Sequence, residues 1–390
     1  MSPSPDIETL QGEVRGFRER LIELREILLA NVIMCGEVPS PAFHEQALIN
    51  FLRDRFTESS LQNISTDEAQ NVTGILPGTE GKRNILVSAH VDKIWDKSID
   101  HSVTVAEDRL TGPGVADNSL GVATVASLPL ILNRLGIELK SNLILLGSTR
   151  SMGRGDLGGL RFFVENTKAP IHTAVCVEGI QLGRLSYSSL GMIRLEIRLF
   201  TPERMDWADA DTTGAIVELH GVIDRILRIR TPQQPETSII LGSIIAGNAF
   251  NTPPTQATLR LEVRSLQPGM VAEILQQIEE IVAEVNAENR ARAEIRVIAR
   301  RRPGGIAFNH PLVRAARSIM GALDIKAKVA PSTGELSALA DKGIPCLTLG
   351  VTKGEKKHEI DETVFVEPIF KGIAQIIGVI QAIDGGLCDE

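Results

Sequence analysis

A chain of 390 residues with a formal net charge of −8 is too long for one ordinary core, and its acidity excludes nucleic acid as a main partner, because phosphate binding needs a basic surface. An apolar share of 43% describes a soluble globular chain; no apolar run approaches membrane-spanning length and residues 1–11 are polar rather than leader-like, so cytoplasmic localisation is expected. Four widely spaced cysteines (Cys35, Cys176, Cys346, Cys388) without a C-x-x-C pair frame neither a disulfide scaffold nor a thiolate zinc site, and Cys176 and Cys346 read as small core residues.

Val14, Phe17, Leu21, Leu24, Ile27 and Leu28 recur at helical spacing and predict one amphipathic helix over about residues 12–34. Pro39 and Pro41 break it, and a helical pattern resumes over 44–56. Strands are expected at 71–77 and 83–89. The second ends in Ser88-Ala89-His90-Val91-Asp92, which sets an imidazole and a carboxylate at the carboxyl end of a strand, the edge where open α/β sheets bind ligands. Asp117 and Asn118 follow a Gly/Pro turn and precede a nearly all-apolar helix, 120–135. A strand at 142–147, a helix at 157–164 and a strand at 173–177 ending at Glu178 continue the alternation, which implies a mostly parallel mixed sheet with helices on both faces.

The pattern changes near Gly191. Strands at 192–200, 238–245, 258–263 and 293–299, with helices at 214–227 and 271–285, follow the β-α-β-β-α-β order of a ferredoxin-like module. Beyond Pro303-Gly304-Gly305 the α/β style returns: a helix at 311–323, a turn at 331–334, a helix at 335–342, a strand at 345–350, then Lys357-His358-Glu359 and a last helix at 367–383. The expected domains are therefore 1–191 with 303–390, and an inserted 192–302. His90, Asp92, Asp117, Glu178 and His358 all fall at one sheet edge, and imidazole with carboxylate suits a divalent metal such as zinc.

These motifs carry a family resemblance. Ser88-Ala89-His90-Val91-Asp92, Gly112-Pro113-Gly114-Val115-Ala116-Asp117-Asn118, Val177-Glu178-Gly179, Gly247-Asn248-Ala249-Phe250-Asn251, the return from Arg302 through His310-Pro311-Leu312-Val313, and Lys357-His358-Glu359 with Asp361-Glu362 resemble, over nearly the whole chain, the aminoacylase, carboxypeptidase G and succinyl-diaminopimelate desuccinylase family of co-catalytic zinc hydrolases. The resemblance implies a zinc exopeptidase-like metal domain, a homodimer through the inserted ferredoxin-like domain, two zinc ions bridged by an Asp and a water, and hydrolysis of amide bonds in small peptides or N-acyl amino acids. It implies His90, Asp117 and Glu178 on one metal, Asp117 and His358 on the other, and Asp92 holding His90 by a second hydrogen bond. Asn251 and Arg264 match positions near the cleft or hinge, where substrate would be contacted.

The sequence departs from that family where its chemistry is done. Relatives carry two adjacent glutamates, a general base and a metal ligand, after the strand at 142–147; here Ser151 and Met152 stand there, or Arg150 and Ser151 in the neighbouring register. Met205 stands where the inserted domain should supply a histidine to polarise the substrate carbonyl. A general acid–base group contributes roughly 10²–10⁴-fold and an oxyanion donor about 10²–10³. One zinc is thus expected, with the second site weakened, and Arg150 or Arg154 is a candidate to replace its charge. Two functional expectations stand: a binding or scaffold homologue without standard peptidase activity, or an active hydrolase with a non-standard base such as Asp156.

Overall fold

The computed structural model describes residues 6–202, 214–232, 234 and 236–389. Contacts divide the chain into two compact units, Met1–Ser189 with Gly305–Glu390, and Leu190–Gly304.

The larger unit is built on an eight-stranded mixed sheet. Its spatial order is Gln62–Thr66, Val72–Leu76, Asn142–Ser148, Asn84–His90, Thr173–Ile180, Cys346–Thr352, Arg184–Ser186 and Lys328–Val329. The four central strands run parallel, with His90 opposite Ser148 on one side and Ser88 opposite Cys176 on the other. Of these four the strand Asn84–His90 comes first in the chain, and its neighbours on either side come later. Its carboxyl end is therefore a switch point of the sheet, the place where such folds open a crevice.

Two-residue periodicity divides the Asn84–His90 strand between two cores. Ile85, Val87 and Ala89 join the larger core with the helices Ile7–Ile22, Leu120–Leu135, Pro311–Ala322 and Glu367–Asp384. Leu86 faces the other way, into a smaller core with Leu160, Leu336 and Leu339. By the same alternation Ser88 and His90 share the face of Leu86, so the imidazole emerges at the rim of the smaller core. The helix Leu120–Leu135 is buried along almost its whole length, as its composition requires.

Four expectations change. The first helix is two, Ile7–Ile22 and Arg25–Glu37, because the backbone leaves helical geometry at Leu24. The strand Gln62–Thr66 was not expected; it pairs antiparallel with Val72–Leu76, and its exposed, polar side chains hide the usual apolar signal. Glu178 lies within the strand Thr173–Ile180 rather than after it. Residues Val115–Leu135 are long and apolar enough to cross a membrane, contrary to the reading of the sequence, but the segment is mostly buried inside the protein as a core helix.

The smaller unit is a four-stranded antiparallel sheet in the order Thr237–Ala246, Gln256–Ser265, Gly191–Phe200, Arg292–Arg301. That is the ferredoxin-like order expected from the sequence. Ile193, Leu195, Ile197 and Leu199 pack against Leu219, Val222 and Ile226 of the helix Ala215–Leu227 and Ile274 and Ile278 of the helix Met270–Ala287. The intervening side chains form a charged row: Arg194 to Glu262 at 2.5 Å and Arg260 to Glu196 at 3.0 Å.

Candidate metal centre

The centre begins at the turn before the helix Leu120–Leu135. Gly114, at φ +76°, accepts a left-handed backbone that bends the chain over the Lys93 stem. The peptide between Asp117 and Asn118 is cis. Asn118 then holds the neighbouring strand with both halves of its amide, donating to Val177 O and accepting from Gly179 N, each at 2.8 Å. Gly179 is required here, since a Cβ would stand 2.2 Å from the Ala116 carbonyl oxygen. Gly179→Ala is expected to cost about 1–3 kcal/mol of stability, the price of overpacking a rigid contact, read as a lower denaturant midpoint.

That turn brings Asp117 to His90 and Glu178, and the three offer ligand atoms that all lie within 4.8 Å of one another. His90 Nε2 is 3.1 Å from Asp117 Oδ1, yet this buried oxygen has no hydrogen-bond partner. An orphaned carboxylate oxygen beside an imidazole and a second carboxylate suits a divalent cation better than a closed hydrogen-bond network. On the far side of the ring, His90 Nδ1 lies 3.1 Å from the Asp92 backbone carbonyl and 3.5 Å from its carboxylate. The expected orientation of His90 by Asp92 is thus made mainly through the main chain; the Asp92 carboxylate accepts Met152 N–H at 2.7 Å instead. Burial opposes charge on His90, but Asp117 and Asp92 outweigh it and hold the imidazole well above the usual histidine range. Burial likewise opposes the Asp117 carboxylate, but His358, His90 and Lys357 hold it well below the usual carboxylate range.

The second oxygen of Asp117 is fully engaged. His358 Nε2 lies 2.8 Å from Oδ2 and Lys357 Nζ lies 3.0 Å from the same atom. Glu362 fixes this arrangement: buried, its carboxylate accepts N–H groups from Ala116, Asp117 and His358 at 3.0, 3.2 and 3.1 Å, tying the turn to the loop. Burial pushes Lys357 down, but Asp117 and Glu178 outweigh it and hold the ammonium above the usual lysine value. Arg184 adds a further positive charge 3.9 Å from Glu178.

The positions that the sequence reading sets against the two glutamates are Ser151 and Met152. Ser151 is buried, its hydroxyl 3.4 Å from Glu335 Oε1. Glu335 also accepts from Ser88 at 3.0 Å and from Ser148, and burial pushes its carboxyl above the usual range. The expected arginine replacement is corrected. Arg150 stacks 5.7 Å above the Phe43 ring, held by its N–H to Glu45, and Arg154 is exposed; the cation beside Asp117 is Lys357. Asp156 stands outside the trio, at the start of the helix Gly158–Asn166. Glu335 has no role in the sequence reading, and Lys357 and Glu362 enter it only as part of the His358 motif. Glu335 follows a Ser-Thr-Gly turn and the other two flank His358, so proximity to a ligand motif was the only available signal.

In the smaller unit, Arg264 pairs with Glu262 across its own strand. Asn251 lies in an exposed loop lining a cavity of about 710 Å³ with Ile216, Val217 and Phe250. Met205 lies outside the described residues.

A parallel-centred α/β unit with a His, Asp and Glu cluster at its switch point offers a place to bind a divalent metal. Residues 86–382 match the family model for Peptidase family M20/M25/M40, and the chain belongs to that family. Carboxypeptidase G2 of Pseudomonas sp. (strain RS-16) is 24% identical over 260 residues, covering 65% of this chain and 60% of that protein. Among solved structures, the di-peptidase Dug1p from Saccharomyces cerevisiae is similar with a TM-score of 0.79 at 11% identity, covering 96% of this chain and 98% of the other. The Bacillus subtilis YXEP protein, described as a dinuclear metal binding peptidase, gives 0.63 at 16% identity, covering 93% and 98%.

Proposed function

We propose that this M20-family chain holds a single zinc ion at His90, Asp117 and Glu178 and serves as a binding or scaffold homologue, for a small peptide or N-acyl amino acid, without standard peptidase activity. The observation that carries this reading is the state of the Ser151-Met152 pair. Ser151 is turned to Glu335, and the Met152 N–H is spent on Asp92. A zinc ion at the trio would supply Lewis acidity toward a carbonyl oxygen. The chain must still take a proton from the nucleophile and give it to the leaving amine, and a serine hydroxyl cannot hold that proton at neutral pH. Without the base, turnover falls by roughly 10²–10⁴-fold.

The test is turnover of dipeptides and N-acyl amino acids by the purified full chain with zinc. No product above a chelator control is expected in wild type, and a gain is expected in Ser151→Glu/Met152→Glu. Zinc-dependent turnover in wild type, abolished by His90→Ala, would sink the reading. It would favour a hydrolase with a non-standard base, for which one observation speaks: the Glu335 carboxyl hydrogen-bonded to Ser151 at the expected base position. Glu335→Gln would then remove the activity.

We also propose a homodimer through the smaller unit and residence in the cytoplasm. The edge strand Thr237–Ala246 exposes Ile240, Ile244 and Ile245, and the helix Ala215–Leu227 exposes Ile216 and Val217. An apolar edge of this kind calls for a cover. Four free, buried thiols suit a reducing compartment. Sedimentation at micromolar concentration is expected to give a dimer, with Ile244→Asp shifted to monomer; a monomeric wild type would refute the dimer.

A further inference from the structure

We propose that the Lys357 ammonium stands in place of a second metal ion, so that the centre is built for one divalent cation and one fixed side-chain cation. The inference rests on the single-ion reading above and adds the device that enforces it. Three observations carry it.

First, a two-metal arrangement needs the bridging aspartate to offer its second oxygen, and here Asp117 Oδ2 is held by Lys357 Nζ at 3.0 Å and His358 Nε2 at 2.8 Å. An ammonium has no lone pair, so Lys357 cannot become a ligand while charged. A metal at Oδ2 would have to expel it. Second, the lysine is placed rather than dangling. Glu362 fastens the backbone of His358 to that of Ala116 and Asp117, and Lys356 pairs outward with Asp361, so the loop delivers Lys357 inward. The Lys357 side chain is only 32% exposed. Third, positive charge is already gathered at the acidic pair: Lys357 lies 3.0 Å from Asp117 and Arg184 3.9 Å from Glu178, and both oppose the entry of another divalent ion.

The test is metal stoichiometry, which needs no activity. Chelator-stripped full chain is titrated with cobalt, followed by its visible absorption, and zinc per chain is measured after dialysis; circular dichroism monitors the fold. Wild type, Met152→Glu and Lys357→Arg/Met152→Glu are each expected to take one ion. Lys357→Ala/Met152→Glu, with the cation removed and the ligand restored, is expected to take two. Two ions in wild type or in Met152→Glu would overturn the role of Lys357 while leaving the first site intact. So would one ion in a natively folded Lys357→Ala/Met152→Glu. No ion in wild type would overturn the single-ion reading together with it.

Discussion

His90→Ala is expected to weaken zinc binding by at least about 100-fold, a loss that even the outer partners of a ligand can cause, and to abolish the proton release that accompanies binding near pH 7. The release follows from the geometry. Asp117 stands 3.1 Å from Nε2 and Asp92 faces the other nitrogen, so the metal-free imidazole is protonated at neutral pH, above its ordinary value, despite burial. A metal accepts only the neutral ring, so the proton must leave. The sign follows for stability. A histidine whose folded pKa is raised stabilises the metal-free protein fully below its unfolded value of about 6.5. That contribution is lost as pH rises through the folded pKa. Zinc affinity moves the opposite way, strengthening with pH until the same pKa is passed. Calorimetric titration in two buffers of different protonation enthalpy checks this. Identical apparent enthalpies in wild type would mean that His90 enters the complex already neutral, and that the pairing with Asp117 is wrong.

Lys93→Met is expected to destabilise the larger unit by about 1–3 kcal/mol for each buried carbonyl left without a donor. Lys93 is 1% exposed, and its Nζ donates to Cys35 O and Gly36 O at 2.7 Å and to Val38 O at 2.9 Å. These carbonyls sit at the C-terminal end of the helix Arg25–Glu37, where no further turn of helix can satisfy them and where the helix dipole favours a cation. Burial pushes the ammonium down to about 8, so at neutral pH it remains charged and the three oxygens replace its water. Methionine keeps the volume of the stem and removes only the donors, so the loss measures the polar contacts. A denaturant midpoint unchanged from wild type would show that water satisfies these carbonyls in the variant. Because Lys93 follows Asp92 directly and its N–H binds Ser40 O, the same substitution is also expected to loosen the segment that carries the Met152 contact.

Much of this arrangement was legible before any coordinates. The His90 and Asp117 motifs announce themselves because each ends or begins an element with an unmistakable apolar period, and the period fixes which sheet edge they occupy. The break at Leu24 was not legible: no glycine or proline marks it, and the apolar spacing runs straight through. Glu335 was hidden because its partners, Ser88, Ser148 and Ser151, lie on strands and turns nearly 190 residues or more away in sequence. Lys357 was hidden for another reason. A lysine beside a candidate ligand reads as an ordinary solvated charge, and only the Glu362 contacts turn it inward. Arginines nearer to the missing glutamates were the natural candidates, but Phe43 and Glu45 hold Arg150 elsewhere.

The pairing of Cys346–Thr352 with Thr173–Ile180 has a consequence for how the molecule comes into being. During synthesis the strand ending the first segment emerges long before its parallel neighbour, with the whole inserted unit in between. Its edge must wait, unpaired and rich in valine, while Leu190–Gly304 is made and folds on its own local contacts. Closure of the sheet and arrival of His358 are then one event, late in the birth of the chain. A ribosome halted before residue 346 should carry a finished insert beside an unfinished, aggregation-prone sheet, with His90, Asp117 and Glu178 already made but without the Glu362 and Lys357 contacts to the Asp117 turn.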